Sequence, residues 1–335
     1  MNILFRVDCN SSCGVGHFSR CVTLAKILLK EYNCKIYFLS INFNKKIYNI
    51  EKINANFINF KFQKKITEIS DFKITKRIVN KHNIQAIVLD SYNLNKIWCN
   101  NIYNLKKKLI VIDDGLKKNI KCDIYINYLP LINNFKIIAK KKLLNLKYFF
   151  IDQKYFKLKK RNNTDIDIFI NLGTGIFNSF LIFLLKIINE IKIIKKIIII
   201  GNYNKNNFKN YNFKVLIYKK YIHLGNLISR SRICIGAGGV NLFERLFLDK
   251  YNIVFSTAIH QERICNYLSR ENYIKYFGKI HNFRKNYKKN FFFKENLNKF
   301  NNKNFKLKSF NKIDGLGLKR IALNINQALN EKKLS

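Results

Sequence analysis

The stretch ILFRVDCNSSCGVGHFSRCVTLAKILL, Ile3 to Leu29, constrains the fold more than any other part of the chain. Ile3, Leu4, Phe5 and Val7 read as a short buried strand, while Cys21, Leu24, Ala25, Leu28 and Leu29 recur at helical spacing. A strand that feeds a helix through a glycine loop is the opening move of a parallel α/β sheet. Gly14 and Gly16 clear Cβ bulk from the mouth of that helix, where outward amides and the helix dipole favour an anion. A phosphate is the first ligand such a loop suggests. His17 follows at once, and a simple phosphate cradle has no need of an imidazole there. Beside a positive helix end the neutral ring is favoured, which marks His17 as a candidate proton acceptor. A capping or partly buried histidine without chemistry is the other reading of the same residues.

The pattern repeats along the chain. KIYFLSI (35–41), AIVLDSY (86–92), KKLIVIDDG (107–115) and DIYINYL (123–129) read as further strands whose polar residues gather at their C-terminal ends. That is the edge an open parallel sheet offers to a ligand. Asp90 and Tyr92 close one of these strands. Asp113 and Asp114 close another, where acidic turn residues are the plain expectation. At 335 residues the chain exceeds the usual size of a single core, so two domains are expected. The boundaries are 1–153 for the first, a charged linker at 154–164, and 165–335 for the second.

The second half restarts with IDIFINLGTG (166–175), a strand running into a glycine turn that carries Asn171 and Thr174. Asp165 and Asp167 form a D-x-D at the entrance of that strand, the wrong end for metal chemistry at a parallel sheet. HLGNLISRSRICIGAGGVNLFERLFLDK (223–250) reads as helix, strand, glycine turn and helix. Gly236, Gly238 and Gly239 would let backbone amides approach a diphosphate at the start of the helix near Val240; tight helix-to-strand packing would ask for the same glycines. Glu244, one turn further on, is placed either to accept from ribose hydroxyls or to complement the helix dipole. Gln261 opens another helix after the next strand. Residues 281–310 are rich in Lys, Asn and Phe without a clean period and read as a poorly ordered insertion. The sequence closes with a capped helix over 313–329.

Composition excludes some classes and leaves others open. Sixty-three Lys and Arg against 20 Asp and Glu give a net charge of +43, a balance that on its own suggests nucleic acid. The lysines are dispersed, however, and accompany an excess of Asn, Ile, Phe and Tyr, all with A/T-rich codons, so genomic base bias accounts for them. A nucleic-acid-binding protein stays on the page as an alternative, predicting clustered basic and stacking aromatic residues. Eight cysteines show no C-x-x-C pair and read as core residues of a reducing compartment. No signal-like order opens the chain, and its longest apolar run is broken by lysines and too short for a bilayer. A cytoplasmic monomer without membrane attachment is expected.

Taken together, RVDCNSSCGVGHFSRCVTLA, LDSYNL, the IDDG and CDIYIN pair, IGAGGVNLFER, the Gln261 segment and terminal IDGLG resemble, in order, the PseG family of UDP-sugar hydrolases of pseudaminic acid biosynthesis. The first of these motifs contributes Arg6, Asp8, Gly14, Gly16, His17, Arg20, Cys21, Leu24 and Ala25. The resemblance implies a GT-B-like fold, related to MurG-type glycosyltransferases, in which two Rossmann-like parallel-sheet domains face a central cleft. It implies inverting, metal-independent and cofactor-free hydrolysis of UDP-2,4-diacetamido-2,4,6-trideoxy-β-L-altropyranose to the free sugar and UDP. His17 would be the general base. Gly14, Gly16, Arg20, Asp90 and Tyr92 would lie toward the sugar, and Asn171, Thr174, Gly236, Gly238, Gly239, Glu244 and Gln261 toward UDP. Three positions depart from the family pattern: Ser91 stands where a histidine is common, Asp152 where an arginine is expected, and Ile176 where the turn carries an acid. A GT-B glycosyltransferase with a UDP-sugar donor is the nearest alternative.

Overall fold

The computed structural model describes residues 1–8, 16–43, 54–61, 66–130, 136–160, 163–173, 175–208, 210–219, 224–299 and 307–331. Gly14 and Thr174 therefore lie outside the described residues. The chain forms two compact units, Met1–Asp152 with Lys312–Ser335, and Gln153–Asn311.

The first unit is built on seven strands, β1 Asn2–Val7, β2 Lys35–Ile41, β3 Asn56–Phe60, β4 Ala86–Asp90, β5 Lys108–Ile112, β6 Lys121–Asn127 and β7 Ile138–Leu144. They pair in the order β3-β2-β1-β4-β5-β6-β7, every pair parallel. The central strands are unbroken apolar runs because both of their faces are covered. Leu4, Leu39, Leu89, Val111 and Trp98 meet in one of the cores beneath the sheet. The edge strands β3 and β7 read weakly in the sequence because an edge strand needs only half its side chains buried; β7, IAKKKLL, turns its lysines to solvent.

The second unit repeats the plan with β8 Ile166–Asn171, β9 Lys196–Ile200, β10 Lys214–Tyr218, β11 Ser231–Ala237, β12 Tyr251–Ser256 and β13 Lys275–Lys279. The order is β10-β9-β8-β11-β12-β13, again all parallel. Ile168, Ile197, Ile235, Phe255 and Phe283 belong to one core of this unit. In both sheets the strand order reverses direction beside the first strand of the unit, between β1 and β4 and between β8 and β11. A crevice at the C-terminal ends of such a pair is where doubly wound sheets bind ligands.

The helices are α1 Gly16–Tyr32, α2 Glu68–Lys81, α3 Lys96–Tyr103, α4 Lys154–Lys159, α5 Asn178–Asn189, α6 Leu224–Ser229, α7 Val240–Phe247, α8 Glu262–Arg270, α9 Ile280–Phe283, α10 Tyr287–Asn298 and α11 Gly317–Asn330. Three of them correct the domain plan read from the sequence. The closing helix α11, expected in the second domain, belongs to the first unit and packs on α1. Its apolar face, Leu318, Ile321, Ala322 and Ile325, is buried there, and a Cβ on Gly317 would lie 2.3 Å from the Phe149 carbonyl oxygen. Lys154–Lys159, expected as linker, is the helix α4 and lies against α6, with Leu158 and Tyr155 filling the space beside Gly225. The stretch expected to be poorly ordered carries α10, whose Phe293 and Leu297 join Phe283 in the core with no exposed surface. Its periodicity is obscured by the exposed aromatics Tyr287, Phe291 and Phe292. Residues 300–306 lie outside the described residues.

Candidate active site

The C-terminal ends of β1 and β4 bring together a compact polar cluster. His17 and Arg20 sit three residues apart on α1 and so share one face of the helix. Both meet Asp90, the last residue of β4. Asp90 Oδ1 lies 2.5 Å from His17 Nδ1, while Arg20 Nε and Nη2 donate to Oδ2 and Oδ1 at 2.5 and 2.7 Å. All three side chains are buried, at 5% exposure or less.

This arrangement fixes the imidazole tautomer. Burial pushes the Asp90 carboxyl up, but Arg20 and His17 outweigh it and hold it below the ordinary carboxylate range. Asp90 is thus a carboxylate near neutral pH, and so close a contact with Nδ1 requires the hydrogen to sit on that nitrogen. Nδ1–H donates to Asp90, and Nε2 becomes the accepting nitrogen of the ring.

Two residues not assigned from the sequence complete the cluster. Arg20 Nη1 donates to Asp114 Oδ1 at 2.8 Å and to the Tyr128 hydroxyl at 2.5 Å. The Tyr92 hydroxyl donates to Asp114 Oδ2 at 2.7 Å, and its ring meets the His17 ring edge-on at 4.2 Å between centroids. Burial opposes ionisation of Asp114 as well, and Arg20 overrides it, so its pKa is strongly lowered. Arg20 is in turn held cationic: burial lowers its pKa, and Asp114 and Asp90 more than restore it.

Because the folded pKa of Asp114 lies below the unfolded value of about 3.9, its contribution is complete above that value and is lost as pH falls through the folded one. The acid limb of the stability curve below about pH 4 should therefore be shallower in Asp114→Asn, by up to about one proton, than in the wild-type chain. Urea unfolding between about pH 2 and 5 measures this, and identical slopes would contradict it.

Under the cluster lies a second buried network. Arg6 donates through Nε and Nη2 to both oxygens of Asp71, at 2.6 to 3.1 Å, and through Nη1 to Asp8 at 2.8 Å. Trp98 Nε1 also donates to Asp71. Asp8 Oδ2 accepts from the Ser91 hydroxyl at 2.5 Å, and Ser91 Oγ accepts from the amides of Asn93 and Leu94. The buried Lys117 ammonium donates to the carbonyls of Ser91 and Leu94. Ser91, a departure from the resembled family, is thus the pin that holds the loop bearing Tyr92. Asp113 makes the turn expected of it, accepting from the amides of Leu116 and Lys117 and from the Tyr125 hydroxyl. Asp71→Asn would leave Arg6 with half its countercharge in a fully buried place. A loss of about 3–5 kcal/mol is expected, read by urea unfolding with the single tryptophan, Trp98, as reporter; a change below about 1 kcal/mol would deny the network that role.

The second unit carries the other candidates. Asn171 ends β8, and its Oδ1 accepts from the Gly173 amide at 3.0 Å. The turn from β11 to α7 is crowded: a Cβ on Gly236 would meet the Asn171 carbonyl oxygen at 2.5 Å, and one on Gly238 would meet Cys265 Sγ at 2.3 Å. These two glycines therefore serve close packing. Gly239 caps α7, with Gln261 Nε2 at 3.9 Å from its Cβ position. Gln261 is buried, and its Oε1 accepts from the Thr257 amide and hydroxyl. Glu244, in the second turn of α7, accepts from Asn241 Nδ2 at 2.5 Å.

His17, Arg20, Asp90 and Tyr92 thus cluster in the first unit, with Gly16 as the first residue of α1. Asn171, Gly236, Gly238, Gly239 and Gln261 gather at the matching sheet edge of the second. Asp165 and Asp167 are occupied at the start of β8, Asp165 by Arg230 and Lys196, Asp167 by the Lys195 and Lys196 amides. Cys21, Cys34, Cys99, Cys122, Cys234 and Cys265 are buried free thiols, as the core reading expected. No helix among the described residues is long and apolar enough to cross a membrane.

Two parallel-sheet α/β domains of seven and six strands give the chain a GT-B fold, one that its structural neighbours, glycosyltransferases and UDP-GlcNAc 2-epimerases, share. Among solved structures it is similar to MurG of Acinetobacter baumannii, with TM-score 0.62 and 12% identity over 97% of this chain and 99% of that one. The calicheamicin glycosyltransferase CalG4 matches at TM-score 0.61 and 8% identity, covering 100% and 99% of the two chains. UDP-GlcNAc 2-epimerase of Methanocaldococcus jannaschii matches at 0.58 and 13%, covering 98% and 100%. No family model and no curated protein sequence matches the chain.

Proposed function

We propose that this chain is an inverting UDP-sugar hydrolase whose substrate is a UDP-2,4-diacetamido-2,4,6-trideoxyhexose, the β-L-altropyranose form first among them. The observation that carries the reading is the 2.5 Å contact of Asp90 Oδ1 with His17 Nδ1, at the end of β4 and the start of α1; against an ionised carboxylate the ring hydrogen belongs on Nδ1. Such a pair leaves Nε2 to take a proton from water as the water oxygen bonds to the anomeric carbon. The bond from that carbon to the diphosphate oxygen breaks, and the electron pair leaves with UDP. Attack opposite the leaving group inverts the anomeric centre.

In this reading the first unit supplies the base, Arg20 keeps Asp90 ionised, and Tyr92 flanks the ring. The second unit receives the nucleotide: the Gly238–Gly239 turn and the start of α7 face the diphosphate, and Glu244, Asn171, Thr174 and Gln261 serve the nucleoside side. The UDP-GlcNAc 2-epimerases among the structural neighbours support UDP-sugars as the ligand class. No step is assigned to a metal.

The test is release of UDP from a panel of UDP-2,4-diacetamido sugars and UDP-GlcNAc, in EDTA and without acceptor, with NMR of the sugar product. Rapid release from the altropyranose substrate with inversion is the expected result. UDP that binds but is released only when an acceptor hydroxyl is supplied would replace the hydrolase by a transferase using the same base.

A further inference from the structure

Arg245 is a buried cation with no carboxylate in salt-bridge contact among the described residues. It lies in α7, in the run VNLFERLF, with no exposed surface, among Leu242, Phe243, Leu246 and Phe247. Among the described residues the other two buried arginines, Arg6 and Arg20, each hold carboxylates at 2.8 Å or closer. Arg245 has only carbonyls: Nη2 donates to Ala237 O at 2.7 Å and Nε to Asn241 O at 3.3 Å, while Nη1 is buried without a hydrogen-bond partner. Its titratable neighbours do not neutralise it. Burial pushes the Cys234 thiol to about 11 and the Cys265 thiol to about 12, so both are protonated near neutral pH. Glu244, adjacent in sequence, favours the charged guanidinium, but burial outweighs it, and its carboxylate accepts from Asn241 Nδ2.

The guanidinium reaches the end of β11, where Nη2 donates to the Ala237 carbonyl. Its Nη1 and Cζ stand 2.7 and 3.0 Å from the Cβ position of Gly236, two residues before the Gly238–Gly239 turn into α7. Taking a guanidinium out of water is costly unless an opposite charge offsets the loss of hydration. The helix N-terminus at Val240 carries a second, independent positive field at the same turn. Two fields of one sign converge there, at the reversal point between β8 and β11.

We infer that Arg245 is the electrostatic anchor of an anion site on the Gly238–Gly239 turn, its missing countercharge supplied by a phosphate or diphosphate group of the ligand. It acts through the turn without touching the ligand and is therefore a positioning residue. The inference deepens the proposed function and rests on it where UDP is the ligand; pyrophosphate tests it separately.

The experiment is calorimetric titration of the wild-type chain, Arg245→Met, Arg245→Gln and Arg245→Lys with UDP, uridine and inorganic pyrophosphate. Removing the charge should weaken UDP and pyrophosphate about tenfold or more while uridine affinity is unchanged, and Arg245→Lys should recover most of the loss. A purely structural role would lower uridine and UDP together, and that result, or unchanged UDP binding, would overturn the inference. Should the variants not fold, the wild-type melting temperature decides: a rise in pyrophosphate supports the site, and none refutes it. Pyrophosphate binding that depends on Arg245 in a chain that ignores uridine and UDP would sink the UDP-sugar reading and leave the anion site standing. UDP-sugar hydrolysis with an unaltered UDP-to-uridine ratio in the variants would do the reverse.

Discussion

His17→Asn should bind UDP as tightly as the wild-type chain and release it from the sugar nucleotide about 10²–10⁴-fold more slowly. Asparagine can still donate to Asp90 from its amide, so the packing at the end of β4 survives, but it offers no nitrogen that accepts a proton. The effect therefore falls on kcat and leaves affinity for the product alone. Parallel titrations with UDP and single-turnover rates separate the two. Unchanged turnover would remove His17 from the chemistry and leave the Asp90 pair as a structural feature of α1.

A comparable loss, about 10²–10⁴-fold in kcat, is expected for Asp90→Asn, for a different reason. The carboxylate holds the proton on Nδ1; an amide in its place can donate to that nitrogen and turn the ring so that Nε2 carries the hydrogen. Arg20 would keep Asp114 and lose its second countercharge, so a fall in stability of about 3 kcal/mol should accompany the kinetic effect. Rescue is the discriminating measurement. Asp90→Glu retains the charge and should recover stability and part of the turnover, whereas a role limited to neutralising Arg20 would let Asp90→Asn keep its rate at temperatures where it stays folded. Nitrogen NMR of the imidazole reads the tautomer directly, and Nε2 protonation in Asp90→Asn alone is the expected signature.

Much of the architecture is legible in the sequence because it is locally encoded. Strands buried on both faces must be continuous apolar runs, and β1, β2, β4, β5, β6 and β8 announce themselves that way. The edge strands β3 and β7 do not, since half of each faces solvent and β7 carries three lysines in a row. The same logic hid α10, whose buried Phe293 and Leu297 are four residues apart amid Lys, Asn and exposed Phe. The final helix was visible as a helix, but nothing in an amphipathic stripe says which of two sheets it will cover.

The candidate site divides along the same line. A glycine loop followed by histidine at a strand-to-helix turn is a local pattern, so His17 and Arg20 could be named from their spacing on one helix face. Asp90 could be placed at a strand end. Its role as the partner of both could not, because 73 residues separate it from His17 and only the parallel pairing of β1 with β4 brings them together. Asp113 and Asp114 look alike in sequence. The chain path after β5 turns the first back onto its own loop and sends the second to Arg20 and Tyr92. Arg245 left a faint signal, an arginine beside Glu244 inside the apolar run LFERLF, but the burial of its unpartnered Nη1 is a property of the packed turn around Gly236.

The sequence by itself determined that this protein is two parallel α/β sheets with a histidine and a glycine turn at the loops following strands, because hydrophobic period, glycine and helix-face spacing act over a few residues. The tertiary structure decided which acid meets the histidine, which glycines exist for packing, which unit the last helix completes and where a buried guanidinium stands without its countercharge. Those outcomes depend on strand order and on the low dielectric of the interior, where a charge separated by many residues in the chain becomes a neighbour whose absence or presence is worth several kcal/mol.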